Sequence, residues 1–348
     1  MNHRRKRMTE IFATLGPACQ TRTILASMIR LGMTGVRLNL SHATLRESAA
    51  LLSEYREACA MTGVRPEILI DLQGPCQRLG PMRAPLTLES GQHVLLSSRQ
   101  TPTGLPALCI PETIMEHLRE HDVLMIRDGQ IRIAAGTPCA DDPGMRTGTV
   151  LAGGLLSAHQ SVKIQDREIY GPLLTQSDLE SLDLARAYGI TSVMQPFVRC
   201  ADDLRQVKAA MRERNLSLRL FAKIETLTGY AHLEEIMPEA DTVVIARGDL
   251  GNCVPLWELP RLQKDISRRC RKANVPFMVV TQMLKSMESA PIPTRAEVSD
   301  IFNAVLDGAS SVMITSESAV GMFPEKAVEY LSRTVREAEM YLTGSTAL

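Results

Sequence analysis

The sequence predicts a (β/α)8 barrel, an α/β fold, with a β-rich lid domain inserted after its third strand. Three observations carry that expectation. Apolar, β-rich runs alternate with helical stretches along most of the 348 residues. Between the third and fourth runs lies an interval richer in Gly, Pro and short alternating segments. Several runs also end in polar or charged residues, which suits the carboxyl-terminal rim of a parallel barrel. A doubly wound sheet, the rival architecture, predicts no functional residues on so many strand ends.

Taken in order, Ile11 to Leu15 reads as a strand, Thr23 to Leu31 as a helix, Gly35 to Leu40 as a strand and Leu45 to Met61 as a long helix. Glu67 to Asp71, just after Pro66, is the third strand. The insertion spans 75–165, with runs such as His93 to Leu96 and Ile131 to Ile133 and an Asp128-Gly129 turn, so the barrel occupies 1–74 and 166–348. Alternation resumes with a helix at Ser177 to Tyr188, a strand at Ser192 to Phe197 and a helix at Ala201 to Glu213, where Asp202 and Asp203 suit the amino end. The fifth strand, Leu218 to Glu225, precedes a short helix from Gly229 to Ile236. Then come a strand at Thr242 to Ala246, a helix at Pro260 to Ala273 and a strand at Pro276 to Thr281. A helix at Arg295 to Leu306, a strand at Ser311 to Thr315 and a helix at Pro324 to Tyr341 complete the count of eight strands.

Composition narrows the class. With 45% hydrophobic and 22% charged residues the chain can bury a large core. Lys and Arg number 39 against 39 Asp and Glu, so nothing draws the whole protein to nucleic acid or an anionic membrane. The basic run His3 to Arg7 reads as a solvated terminus, Ile11 to Leu15 is too short for a signal-peptide core, and no stretch spans a membrane. The cysteines Cys19, Cys59, Cys76, Cys109, Cys139, Cys200, Cys253 and Cys270 have no paired or metal-ligand spacing, which fits reduced thiols in a cytoplasmic protein. Cys76 and Cys253 adjoin rim motifs.

The most informative run is F-A-K-I-E, Phe221 to Glu225. On a strand, Lys223 and Glu225 share one face while Ala222 and Ile224 take the other. An ammonium beside a carboxylate at a strand end suits an anionic substrate held by a metal ion. Strand ends at Arg37, Asn39 and Ser41, at Asp71, at Asp249 and at Thr281 repeat the device. Each motif alone is ordinarily a solvated face or a turn. Solvated faces have no reason to gather at one end of successive buried strands.

The ordered series A-T-L-G-P-A (Ala13 to Ala18), R-L-N-L-S-H (Arg37 to His42), D-L-Q-G-P (Asp71 to Pro75), A-K-I-E (Ala222 to Glu225), A-R-G-D-L-G (Ala246 to Gly251), T-Q-M-L-K-S-M (Thr281 to Met287) and P-T-R-A-E-V-S-D (Pro293 to Asp300) closely resembles pyruvate kinase over essentially the whole chain. The resemblance implies that Lys223 stabilises the transferring phosphoryl group and the developing enolate. It implies that Glu225 and Asp249 bind a divalent cation, for which oxygen ligands suit Mg²⁺ or Mn²⁺. Backbone N–H groups around Gly248 and Asp249 would receive substrate oxygens. Thr281 would lie near the methylene carbon of the enolate and position or relay its proton. Arg37 and Arg78 would contact the phosphoryl group. Asn39, Ser41 and Asp71 match positions around the family's monovalent cation, although Asn39 and Ser41 equally suit a cap for the following helix.

Departures from the family's pattern are uneven. Its D-T-K-G-P-E-I-R stands here as D-L-Q-G-P-C-Q-R, so Leu72, Gln73 and Cys76 replace a threonine, a lysine and a glutamate, the last tied to potassium dependence. That speaks against activation by K⁺. In the lid, His159 and Gln160 stand where nucleotide-facing lysine is expected, and Arg127-Asp128-Gly129 is one carboxylate short of the family's turn. The family's S-F-V-R becomes Pro196 to Arg199, and Asn252 and Cys253 follow Gly251. Barrel residues for metal and enolate persist while those for nucleotide and monovalent ion are altered. Three functions therefore stay open: phosphoryl transfer between phosphoenolpyruvate and a nucleotide, non-kinase enolate chemistry (decarboxylation, aldol cleavage or condensation) on a pyruvate-like 2-oxo acid, or a non-catalytic metabolite sensor. The chain ends at Leu348, just after the helix that closes the barrel, so the family's carboxyl-terminal regulatory domain is not expected, nor is sugar-phosphate activation. Pairing through the barrel helices would give a homodimer.

Overall fold

Eight short runs, each with buried apolar residues, form the parallel strands of a closed barrel in the computed structural model. The strands are β1 (Glu10–Thr14), β2 (Gly35–Asn39), β3 (Ile68–Asp71), β4 (Ser192–Gln195), β5 (Arg219–Ile224), β6 (Thr242–Ala246), β7 (Phe277–Val280) and β8 (Ser311–Ile314). Each pairs with its neighbours in chain order, and β1 closes on β8 with Ala13 opposite Ile314. The structure describes residues 9–344 except 42, 66, 83, 100–105, 128, 159, 168 and 170. The basic run His3 to Arg7 and the residues His42, Pro66, Asp128 and His159 lie outside the described residues.

The chain divides into two compact units, one of Met1–Gln73 with Leu174–Leu348 and the other of Gly74–Leu173. In the first, Phe12, Leu69, Met194, Phe221, Val244, Met278 and Met313 fill the barrel interior, with the rings of Phe12 and Phe221 edge to face at 6.2 Å. The strand period of two then brings Thr14, Asp71 and Lys223, each two residues after one of these, to the carboxyl-terminal rim. Helices return the chain between strands and are capped by sequence-local chemistry. Thr175 with Asp178 and Thr294 with Glu297 form capping boxes at Gln176–Leu184 and Arg295–Leu306. Asn274, at φ 57°, ends Leu259–Ala273 in the left-handed conformation.

Three helices differ from expectation, and the one read as Ser177 to Tyr188 ends at Leu184. The one read from Leu45 begins at Ala49, with Ser48 at its cap, so neither Asn39 nor Ser41 caps it. The single helix read from Gly229 to Ile236 is two, Leu227–Ala231 and Leu233–Ile236. Thr226, whose hydroxyl accepts the Gly229 N–H at 3.0 Å, starts the first of them early. His232 lies at the break, with its ring Nδ1 2.9 Å from the Arg199 carbonyl.

The second unit is a six-stranded sheet in the order Val162–Ile164, Val123–Ile126, Ile131–Pro138, Met145–Ala152, His93–Ser97 and Ala107–Cys109, with a separate pair made by Leu86–Leu88 and Gly154–Leu156. Alternate residues Val94, Leu96, Leu124, Ile126, Ile131 and Ile133 bury a core of its own. The unit runs past the Gln165 read from the sequence, because the Gly171 N–H donates to the Pro75 carbonyl at 3.1 Å and ties its two ends together. Among the described residues no helix is long and apolar enough to cross a membrane.

Candidate active site on the barrel rim

Lys223 is inward-facing on β5, and its ammonium lies 3.0 Å from Glu225 Oε1 and 3.4 Å from Asp71 Oδ2. Asp71 ends β3 and also takes two hydrogen bonds from Arg37 of β2, from Nε at 3.0 Å and from Nη2 at 2.5 Å. A third Arg37 N–H donates to the Thr14 hydroxyl at 3.3 Å. A guanidinium has five N–H donors, so Arg37 keeps capacity for an anionic oxygen. Glu225 Oε2 is fixed by the backbone N–H of Phe197, a residue held at φ 52° where the chain leaves β4. Five strands thus fix one buried ionic group, with the Asp71 and Glu225 side chains only 3% and 2% exposed.

The charges explain one another. Burial alone would raise the carboxyl of Asp71, but Lys223 and Arg37 hold it below the usual carboxylate range. Burial opposes the Lys223 ammonium, yet Asp71, Glu225 and Asp249 push it up to about 12, so it stays charged. Burial raises Glu225 to about 7, helped by repulsion from Asp249 and Asp71 and opposed by Lys223. Asp249 sits in the short helix Arg247–Gly251 that follows β6, close enough for its charge to act on both Lys223 and Glu225.

These residues fit a divalent cation. Glu225 and Asp249 are hard oxygen donors whose mutual repulsion a cation would relieve, and the rim's three carboxylates outnumber its two cationic side chains. Among the described residues no three His, Cys, Asp or Glu side chains come together as a metal cage. Asp71 Oδ1 is buried without a hydrogen-bond partner, an acceptor left over at the rim.

The remaining predicted residues are placed as follows. Thr281 follows β7 at φ 80°, and a Cβ built on Gly248 would lie 3.2 Å from its Cγ2, so Thr281 packs directly against the Gly248 backbone. Asn39 Oδ1 accepts the Ser41 N–H at 3.1 Å, a local turn at the end of β2. Arg78 belongs to the inserted unit, where its backbone pairs with Ser161. Cys253 Sγ lies 3.5 Å from the Glu225 carbonyl and 3.3 Å from the Asp249 carbonyl, and all eight cysteines are free thiols. Sequence reading missed Arg247, Asp300 and Glu317. The fully buried Glu317 accepts the backbone N–H groups of Leu284 and Thr315 at 3.2 and 2.7 Å and so ties two rim loops together. For Arg247 and Glu317 a charge just beyond a strand end was the available signal, whereas Asp300 lies inside the helix Arg295–Leu306.

Comparison with known proteins bears on this geometry. The family model described as the barrel domain of pyruvate kinase matches residues 6–328. Pyruvate kinase of Thermococcus litoralis is 31% identical over 335 residues, which cover 96% of this chain and 70% of that protein. The Methylorubrum extorquens pyruvate kinase is 35% identical over 339 residues, covering 97% of this chain and 70% of the relative. A crystal structure of Cryptosporidium parvum pyruvate kinase superposes with a TM-score of 0.89 at 28% identity, covering 96% of this chain and 71% of that one.

Proposed function

The chain belongs to the pyruvate kinase family and is a phosphotransfer enzyme, and we propose that it moves a phosphoryl group between phosphoenolpyruvate and a nucleoside diphosphate through the enolate of pyruvate. One observation carries the proposal: a Lys223 ammonium kept charged at about 12 and held 3.0 Å from Glu225 at the rim. In the forward direction the bond between phosphorus and the enol oxygen breaks, and a bond to the terminal nucleotide oxygen forms. Lys223 would meet the charge on the departing enolate oxygen, and preorganised groups of this kind carry much of phosphoryl-transfer catalysis. Arg37 offers its remaining N–H donors to the phosphoryl oxygens. Backbone N–H groups at Gly248 and Asp249 take the substrate carboxylate. Thr281, whose side chain packs beside Gly248, guides a proton to the methylene carbon through its hydroxyl, which completes pyruvate. Glu225 and Asp249 would hold Mg²⁺ or Mn²⁺, which when bound supplies charge neutralisation at the enolate and phosphoryl oxygens.

The test is deuterium exchange at the methyl group of pyruvate, followed by NMR with Mg²⁺ present, with and without ATP. We expect exchange to depend on the nucleotide and to accompany net phosphoryl transfer. Lys223→Met should lower both by at least about a hundredfold, the scale of losing one preorganised charge. Exchange at full rate without nucleotide, with no phosphoryl transfer, would point to enolate chemistry of another kind and overturn the kinase reading.

A further inference from the structure

Thr281 is β-branched, yet it sits at φ 80°, and Gln282 follows at φ 54°. Side chains branched at Cβ rarely enter this left-handed region, so something outside the segment must hold it there. Here the restraint is visible. Arg247, the first residue of the helix Arg247–Gly251, donates to the Thr281 carbonyl from Nε at 3.1 Å and from Nη2 at 2.6 Å. Its other contacts fix the guanidinium itself. Nη1 meets Asp300 Oδ2 at 2.5 Å and Gln263 Oε1 at 3.5 Å, and Nη2 lies 3.0 Å from Met283 Sδ. The Arg247 side chain is 11% exposed, whereas Asp300, on the helix Arg295–Leu306, is 34% exposed.

Arg247 immediately precedes Gly248, the residue that the Thr281 side chain touches. One guanidinium therefore sets both the carbonyl of Thr281 and the start of the backbone segment that its side chain packs against. We propose that Arg247 is a positioning residue for proton delivery, holding Thr281 in its left-handed conformation against Gly248, with Asp300 as the anchor that orients the guanidinium. The inference rests on the reading of Thr281 as the group beside the enolate's methylene carbon. A lysine could keep the charge, but it could not direct two N–H groups onto one carbonyl while also meeting a carboxylate.

The experiment compares Thr281→Ala, Arg247→Lys, Asp300→Asn and the double variant Arg247→Lys/Thr281→Ala. Each is measured for methyl deuterium exchange of pyruvate, for kcat and KM in phosphoryl transfer, and for Mn²⁺ binding by calorimetry. Thr281→Ala should slow exchange by about a hundredfold, within the range for a positioned proton-transfer group. Arg247→Lys should slow it by about tenfold or more with KM and Mn²⁺ affinity held within about twofold, as expected when geometry alone is lost. Asp300→Asn should give a smaller loss of the same kind and serves if Arg247→Lys fails to fold. In the double variant Arg247→Lys should add less than about a further twofold, because a residue acting through Thr281 has nothing left to position. Multiplicative losses in the double variant, or a parallel fall in Mn²⁺ affinity, would overturn the proposal. Full exchange in Thr281→Ala would instead overturn the reading of Thr281 itself, and the proposal with it.

Discussion

Strand β5 carries a cation at each end on the same face, Arg219 at the base of the barrel and Lys223 at the rim, and the two ends have opposite character. At the base, Arg219 forms a bidentate pair with Glu10 at 3.0 and 3.2 Å, packs over the Phe221 ring at 5.0 Å, and is 34% exposed. Glu67, beside it, accepts the Ser192 hydroxyl at 2.6 Å. At the rim, Lys223 and its two carboxylates are 2–15% exposed, one Asp71 oxygen has no partner, and Glu225 sits near 7. Similar residue types thus make a solvent-screened clasp at one end and an unbalanced buried group at the other. Burial decides the difference, because an ion pair in water is worth little and a desolvated one demands a further charge.

The sharpest way to break this contrast is to remove carboxylates at each end. Glu225→Ala or Asp249→Ala should abolish measurable Mn²⁺ binding, since each takes away one of the two carboxylates proposed to hold the cation. Glu67→Ala at the base should leave Mn²⁺ affinity within about twofold, as expected for a charge beyond the screening distance. Calorimetric titration of the three variants decides it. Unchanged Mn²⁺ affinity in both rim variants would mean that the rim is, like the base, a structural ion cluster.

A smaller effect follows from Glu225 near 7. Its folded value is raised above that of an ordinary carboxyl, so in the metal-free protein it costs stability progressively as pH rises from the usual carboxylate range through about 7, and costs nothing below. A proton competes with the cation for the same oxygens. Mn²⁺ affinity should therefore fall by up to about tenfold per pH unit below 7 and flatten above it, one proton being displaced per site. A flat profile between pH 5 and 8, in calorimetry at about those values, would remove Glu225 from the ligand set.

Much of this was legible because β-strand chemistry is local. Thr242–Ala246 is read to the residue, since Asp241 and Arg247 bracket an unbroken apolar run. Lys223 and Glu225 were found because a period of two places them on one face, and position at the strand's end separates Lys223 from Arg219. What stayed hidden depends on distant partners. Arg247 finds the Thr281 carbonyl 34 residues on and Asp300 53 residues on, and neither spacing leaves a pattern. The left-handed backbone at Thr281 carries no Gly or Asn to announce it. The start of the helix at Ala49 was misplaced because Leu45 is buried and apolar, like a helical core residue, while the four residues before Ala49 form turns.

The smallest expected effect lies at the base, and it tests whether the two ends are energetically separate. Arg219→Met removes the bidentate pair with Glu10 while its thioether stem still covers part of Phe221. Because the pair is about one-third exposed, solvent screening limits the loss to about 1 kcal/mol of stability. Phosphoryl transfer should stay within about twofold, since Phe221 and the interior layer lie between Arg219 and Lys223 and distant sites act additively. Urea unfolding and kcat/KM on the same preparation measure both. A fall in activity approaching that of Lys223→Met, at unchanged stability, would show that charge at the base tunes the rim through the packed interior.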